Sequence, residues 1–167
     1  MKINKQFKIW KAAGNNDFHP AYEYIHFIDN HAIATEAHIL AKVETVSLFE
    51  FPLPGEDTMA LTKLNGYSIH AALYRKLANY DTMWIEEDEN GPRFCIQWEE
   101  QVVRISLVKT EKLHVPDFAA VLDKAGLHRE AIYEIGINPK LLMRLADALG
   151  ADATKRLPNL QVERNGY

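Results

Sequence analysis

Two short runs rich in aromatic and β-branched residues, Tyr24-Ile25-His26-Phe27-Ile28 and Ala32-Ile33-Ala34-Thr35, flank the polar triplet Asp29-Asn30-His31. Such runs joined by a tight polar turn predict an antiparallel hairpin. Its second arm leads into His38-Ile39-Leu40-Ala41-Lys42-Val43. The pattern then breaks at Phe51-Pro52-Leu53-Pro54-Gly55-Glu56-Asp57, where prolines, a glycine and acids mark a loop or linker.

From Ile69 the apolar period changes. Ile69, Leu73, Leu77 and Tyr80 fall at helical spacing, with Arg75 and Asn79 on other faces, which predicts a short amphipathic helix. Three strand-like runs follow, Met83-Trp84-Ile85, Phe94-Cys95-Ile96-Gln97-Trp98 and Val102 to Val108, separated by Glu89-Asn90-Gly91-Pro92 and by Glu99-Glu100. They predict a three-strand meander. Within it Trp98 shares a strand face with Phe94 and Ile96 and is expected in the core, and Cys95 reads as a small buried hydrophobe.

Asp117 after Pro116 is placed to cap a short helix running to about Leu122 and ended by Gly126. A further helix is written at both ends: Asn138 is a good N-cap, Pro139 suits the first helical position, and Leu141, Leu142, Leu145 and Leu149 form one stripe before Gly150. Strands and helices recur without strict alternation. That order predicts an α+β fold, an antiparallel sheet with helices packed on one face. The expected organisation is a single domain over 1–167, divisible into an N-terminal hairpin half, 1–51, and a helix-meander-helix half, 64–167.

Composition narrows the function classes. The chain has 167 residues, 47% hydrophobic and 25% charged, long enough to bury one core. One cysteine allows no internal disulfide, and no run approaches a membrane span, so a reducing, cytoplasmic setting without membrane association is expected. The net charge of −4 argues against a surface that coats nucleic acid broadly, so any such contact must be local.

Catalytic and metal chemistry find little support in the pattern. His19, His26, His31, His38, His70, His114 and His128 show no compact ligand spacing. No nucleophile elbow, phosphate-cradling glycine loop or dinucleotide fingerprint occurs. The acids Glu86-Glu87-Asp88-Glu89 fall at a hairpin tip and read as solvated charge that protects a strand edge. No cofactor, metal or catalytic residue is expected. Trp10, within Lys8-Ile9-Trp10-Lys11, fits either a basic edge strand or a surface on which bases stack.

Ala34-Thr35-Glu36-Ala37-His38-Ile39-Leu40-Ala41 resembles the Ala-Thr-Asp-Gly-His-Arg-Leu-Ala signature of the bacterial DNA sliding clamp, the beta subunit of DNA polymerase III. Further segments follow in that family's order: a strand entering a helix at Tyr67-Ser68-Ile69-His70, the meander to Val108, a turn at His114-Val115-Pro116-Asp117-Phe118, and Glu134-Ile135-Gly136-Ile137-Asn138 before the leucine-rich helix. Ile39 stands where the signature has arginine, and Glu36 and Ala37 replace Asp and Gly. The resemblance spans about residues 24–149 and implies a DNA-clamp-like fold of β-α-β-β-β repeats, with one complete repeat at about Tyr67 to Val108 and pieces on either side.

The same resemblance implies a non-enzymatic protein that associates with duplex DNA or replication proteins. Arg75, Lys76, Lys140 and Arg144 would then face phosphates, which lysine and arginine bind without reading sequence. His38 would be a structural histidine, packed or hydrogen-bonded near a strand end. Copies could join into a homo-oligomer through sheet edges. The competing expectation is a clamp-derived protein-interaction module, of phage or mobile-element type, that keeps the fold and does not bind DNA.

Overall fold

Backbone pairing in the computed structural model divides the chain into two similar halves. Residues 1–14, 19–36, 38–52, 58–118, 120 and 138–150 are described. The first half holds β1 (Lys2–Ile3), 3-10 turns at Ile9–Lys11 and Pro20–Glu23, then β2 (Tyr24–Ile28), β3 (His31–Thr35), β4 (Leu40–Glu44), a further 3-10 turn at Thr45–Leu48 and β5 (Phe49–Glu50). The second holds β6 (Tyr67–His70), α1 (Ala71–Leu77), β7 (Met83–Asp88), β8 (Gly91–Trp98), β9 (Gln101–Ser106) and β10 (Val108–Lys109), with α2 (Pro139–Ala148) beyond.

All the strand pairs among the described residues are antiparallel. One sheet has the order β10-β6-β2-β3-β4, another β7-β8-β9, and β1 pairs with β5. β6 lies against β2 of the other half, with Ile25 opposite Ile69. The reciprocal contact joins β1 to β7: Met83 N–H donates to the Met1 carbonyl at 2.8 Å, and the Met1 ammonium donates to the Met83 carbonyl at 3.1 Å. The order β5-β1-β7-β8-β9 therefore mirrors β10-β6-β2-β3-β4. Each half reads β-helix-β-β-β, so the first is more complete than the expected fragment, with a 3-10 turn where the second has α1.

Local chemistry explains the connections. The β2–β3, β7–β8 and β8–β9 hairpins close through two-residue loops, and Asp29 and Asn30 in the first both have positive φ, a conformation short polar side chains tolerate. Asn65 pins that turn, accepting from Asn30 N–H and donating to its side-chain oxygen, both at 2.8 Å. Asn138 caps α2 by accepting from Lys140 N–H at 3.0 Å, with Pro139 behind it as the sequence predicts. Asp117 accepts from Ala120 N–H at 3.0 Å, in keeping with a cap. The rest of that predicted helix, the segment 134–137 that carries part of the resemblance, most of the linker at 51–57 and the tail after Gly150 lie outside the described residues.

One apolar cluster draws on both halves: Ile3, Phe27, Leu48, Leu64, Ile69, Leu77 and Met83 are almost wholly inaccessible, and Phe94 meets Phe27 and Phe49 at centroid distances of 6.4 and 6.0 Å. Cys95 is buried, as expected. Burying each large side chain contributes about 1.5–3 kcal/mol. α1, the turn at Ile9–Lys11 and α2 lie side by side against this sheet system.

Four sequence expectations are corrected. The helix begins at Ala71 because Ile69 is taken into β6, and His70 caps it, Nδ1 accepting from Ala72 N–H at 3.2 Å. Its buried stripe is therefore Ala71, Tyr74 and Leu77, leaving Leu73 39% exposed. Trp98 is 53% exposed, since β8 runs past Met83, where β7 begins, and the core ends there; the indole packs on Tyr80 instead. His38 is exposed at a bend before β4, not packed. The acids at the hairpin are ion-paired: Glu86 with Arg93 and Arg104, Asp88 with Arg93, Glu87 with Lys63. The hydrogen bonds from Arg104 and Trp84 hold the Glu86 carboxyl down at about 2.

A buried polar chain was not legible beforehand. His26 is fully inaccessible; Nε2 lies 2.9 Å from the Ala21 carbonyl and Nδ1 2.8 Å from Ser68 Oγ, which in turn lies 2.8 Å from Thr110 Oγ1. A carbonyl can only accept, so the proton sits on Nε2 and Nδ1 accepts from Ser68. Burial lowers the His26 pKa to about 4 despite the Ala21 contact. The unfolded chain takes up this proton near 6.5, so stability is fully present above that pH and is lost progressively as pH falls from about 6.5 to 4. Urea denaturation at pH 7 and 4.5 should show a fall of about 2 kcal/mol or more, and His26→Gln should flatten that part of the profile.

Tyr74 is also wholly buried, and its hydroxyl has no hydrogen-bond partner among the described residues. An orphaned buried hydroxyl carries its desolvation cost without compensation. Tyr74→Phe should leave stability unchanged or raise it by about 1 kcal/mol in urea; a loss above that size would show that the hydroxyl is partnered.

Candidate functional site

Where the first half has its Ile9–Lys11 turn and the second has α1, the two segments meet edge to edge and leave a groove. Its larger hollow has a volume of about 820 Å³ and is lined by Lys5, Lys8, Trp10, Arg75 and Lys76, with Glu23 and His70 at one side. A second hollow of about 570 Å³ is lined by Lys8, Trp10, Lys11, Ala13, Arg75 and Arg144. Lys8, Trp10, Ala13 and Arg75 line both, so the hollows share a wall.

Short-range packing sets this geometry. Tyr74, locked in the core, supports Trp10 from behind, with ring centroids 6.1 Å apart and planes tilted by 48°. The indole stays half-buried and reaches both hollows. Arg75 and Lys76 follow Tyr74 on the exposed side of α1's last turn, where cations suit the helix dipole. Glu23 accepts from His70 Nε2 at 3.2 Å, the ring being oriented by its cap contact to Ala72.

The cations around the groove fall into two groups. Lys11 is paired with Asp147, whose carboxyl it holds below the usual range, and Arg144 is paired with Glu36. Arg144 also donates from Nε to the Lys11 carbonyl at 3.1 Å and from Nη2 to the Ala13 carbonyl at 3.2 Å. It is thereby a staple joining α2 to the N-terminal segment. Lys5, Lys8, Arg75 and Lys76 form no ion pair among the described residues.

Of the four residues singled out from sequence, Arg75 and Lys76 line the larger hollow, Arg75 and Arg144 the smaller, and Lys140 lines neither, lying exposed on α2's first turn. Arg144 is consumed by internal contacts, and its carboxylate partner is Glu36 rather than the nearby Asp147. Lys5 and Lys8 were missed. The Lys8-Ile9-Trp10-Lys11 run announced charge there but not which side chains would stand beside α1, since that depends on the turn at Ile9–Lys11 packing against it.

No group of three His, Cys, Asp or Glu side chains among the described residues is arranged to hold a metal ion, and none of their helices is long and apolar enough to cross a membrane. No family model matches the chain, and no curated protein or solved structure matches it.

The staple is testable apart from any ligand. Arg144→Ala should speed amide exchange at Leu141, Leu142 and Leu149 by about tenfold while leaving β8 unchanged, because it unties α2 from the N-terminal segment and takes nothing from the sheets. Unchanged exchange in α2 would show that the leucine face alone seats the helix.

Proposed function

We propose that this chain is a non-enzymatic, DNA-clamp-like protein that associates with duplex DNA through the face formed by α1 and the turn at Ile9–Lys11. The observation that carries the reading is the convergence of Lys5, Lys8, Arg75 and Lys76, none of them in an ion pair among the described residues, on one groove of a chain whose net charge is −4; only the charge of Lys8 is felt by a nearby carboxylate, Asp147, which is itself paired with Lys11. Cations concentrated on one face of an acidic protein supply a local site for phosphates. The two β-helix-β-β-β halves support the clamp-like reading of the architecture, as does the ordered sequence resemblance. β4 and β9 are sheet edges through which copies could pair, and a chain of this size would need such pairing to surround a duplex about 20 Å across.

A second reading, a protein-interaction module of clamp ancestry, is favoured by one specific feature. Glu36 and Asp147 neutralise Arg144 and Lys11, which removes positive charge from the α2 side of the groove.

The test is binding to a nicked circular duplex across a salt series, with molar mass followed by light scattering. For the duplex reading, affinity falls with salt, and the combined variant Lys5→Gln, Lys8→Gln, Arg75→Gln, Lys76→Gln flattens the log–log slope by about 3–4, near 0.9 for each phosphate no longer neutralised. Retention on circles and release on linearisation would establish encirclement. No binding at low salt, or an unaltered slope in the variant, sinks the DNA reading and leaves the protein-interaction reading.

A further inference from the structure

The groove has a feature that a purely phosphate-binding face does not require. Trp10 lines both of its hollows, half-buried, in company with Lys8 and Arg75. The regular exterior of a duplex offers phosphates and sugars, whereas its base faces are stacked inside. An indole beside unpaired lysines and an arginine instead matches the combination that holds single strands: a positive track for the backbone and an aromatic surface for a base.

We infer that this groove accepts an unpaired base of single-stranded nucleic acid, with Trp10 as the stacking surface and Lys5, Lys8, Arg75 and Lys76 on the flanking phosphates. The inference rests on the nucleic-acid reading of the groove but not on duplex binding. The dimensions suit it: about 820 Å³ lies within the range of pockets that hold small organic ligands. Ala72 and Ala78, short side chains of α1 and its C-terminus, line the hollow and leave room beside the indole. Tyr74 fixes the indole from behind, so little side-chain entropy remains to be lost when a base stacks on it.

Charge sets limits on the arrangement. Glu23 is the carboxylate among the described residues lining this hollow, and its Oε2 accepts from His70 Nε2. A phosphate there would meet negative charge, so the backbone runs along the Lys5, Lys8, Arg75 and Lys76 side. Glu23 is left on the side of the base edge, where a carboxylate can accept from a base N–H such as the ring N3–H of thymine.

The experiment compares three labelled ligands on the unmodified protein by fluorescence anisotropy at one low salt concentration. They are an oligothymidylate of about eight nucleotides, within the span of known single-strand sites, an abasic oligomer with the same number of phosphates, and a blunt duplex. The oligothymidylate should bind about tenfold more tightly than the abasic oligomer, and Trp10→Leu should abolish that preference while retaining weak, salt-sensitive binding. In a Trp84→Phe, Trp98→Phe background, Trp10 emission should be quenched by the oligothymidylate and not by the abasic oligomer.

Equal affinity for the based and abasic strands overturns the inference even if Trp10→Leu fails to fold, because that comparison needs no variant. Strand binding with base preference but no duplex binding upholds the inference and refutes the duplex reading. Duplex binding without base preference does the reverse, and binding of neither ligand refutes both.

Discussion

Each half of the chain lends its first strand to the other. β6 pairs with β2 along four residues, and Met1 exchanges two backbone hydrogen bonds with Met83, so neither half's sheet is complete without its counterpart. A two-residue β1 has little standing alone; its backbone groups are satisfied only because β5 and β7 flank it. The shared core follows from this exchange, since Ile3 and Phe49 from one half and Met83 and Phe94 from the other are brought under the same cover. The groove follows as well: reciprocal pairing sets the Ile9–Lys11 turn of the first half beside α1 of the second, and with them Trp10 and the cations Lys5, Lys8, Arg75 and Lys76.

The polar contacts divide into those that hold the molecule together and those left open. Arg144, Glu36, Lys11 and Asp147 tie α2 to the N-terminal segment, and the Glu86, Arg93 and Arg104 group braces the outer face of the meander. Exposed pairs of this kind contribute little individually, and their value lies in fixing geometry. His26, Ser68 and Thr110 join β2, β6 and the segment after β10 inside the protein, where a neutral imidazole is required. Against that background the lack of ion-pair partners, among the described residues, at Lys5, Lys8, Arg75 and Lys76 carries the functional reading.

Most elements were legible in the sequence, and so was half of the candidate site. Hairpins whose loops carry Asp29-Asn30, Glu89-Asn90 and Glu99-Glu100, and a helix bounded by Asn138 and Gly150, depend on neighbours within a few residues. Arg75 and Lys76 were found because they flank a visible helix. The misplacements share one cause. Ile69, Leu73 and Leu77 satisfy a helical period, yet Ile69 is claimed by β2, a partner distant in the chain, and Tyr74 turns inward in place of Leu73. Trp98 has the composition of a core residue but lies beyond the end of the strand that would have covered it. The internal pairing of Arg144 is not legible along the chain because its carboxylate partner is the distant Glu36.

The sequence by itself determined where most strands, turns and the capped helix fall, because short-range sterics, capping and hydrophobic period set these, and the acidic net charge implied that any nucleic-acid contact must be local. Only the tertiary structure decided which strands pair across the halves, which histidine is buried neutral, and which cations remain unpaired around Trp10. Those outcomes depend on burial and on partners distant in the chain, and desolvation and pairing are properties of the space a side chain ends in rather than of its neighbours along the backbone.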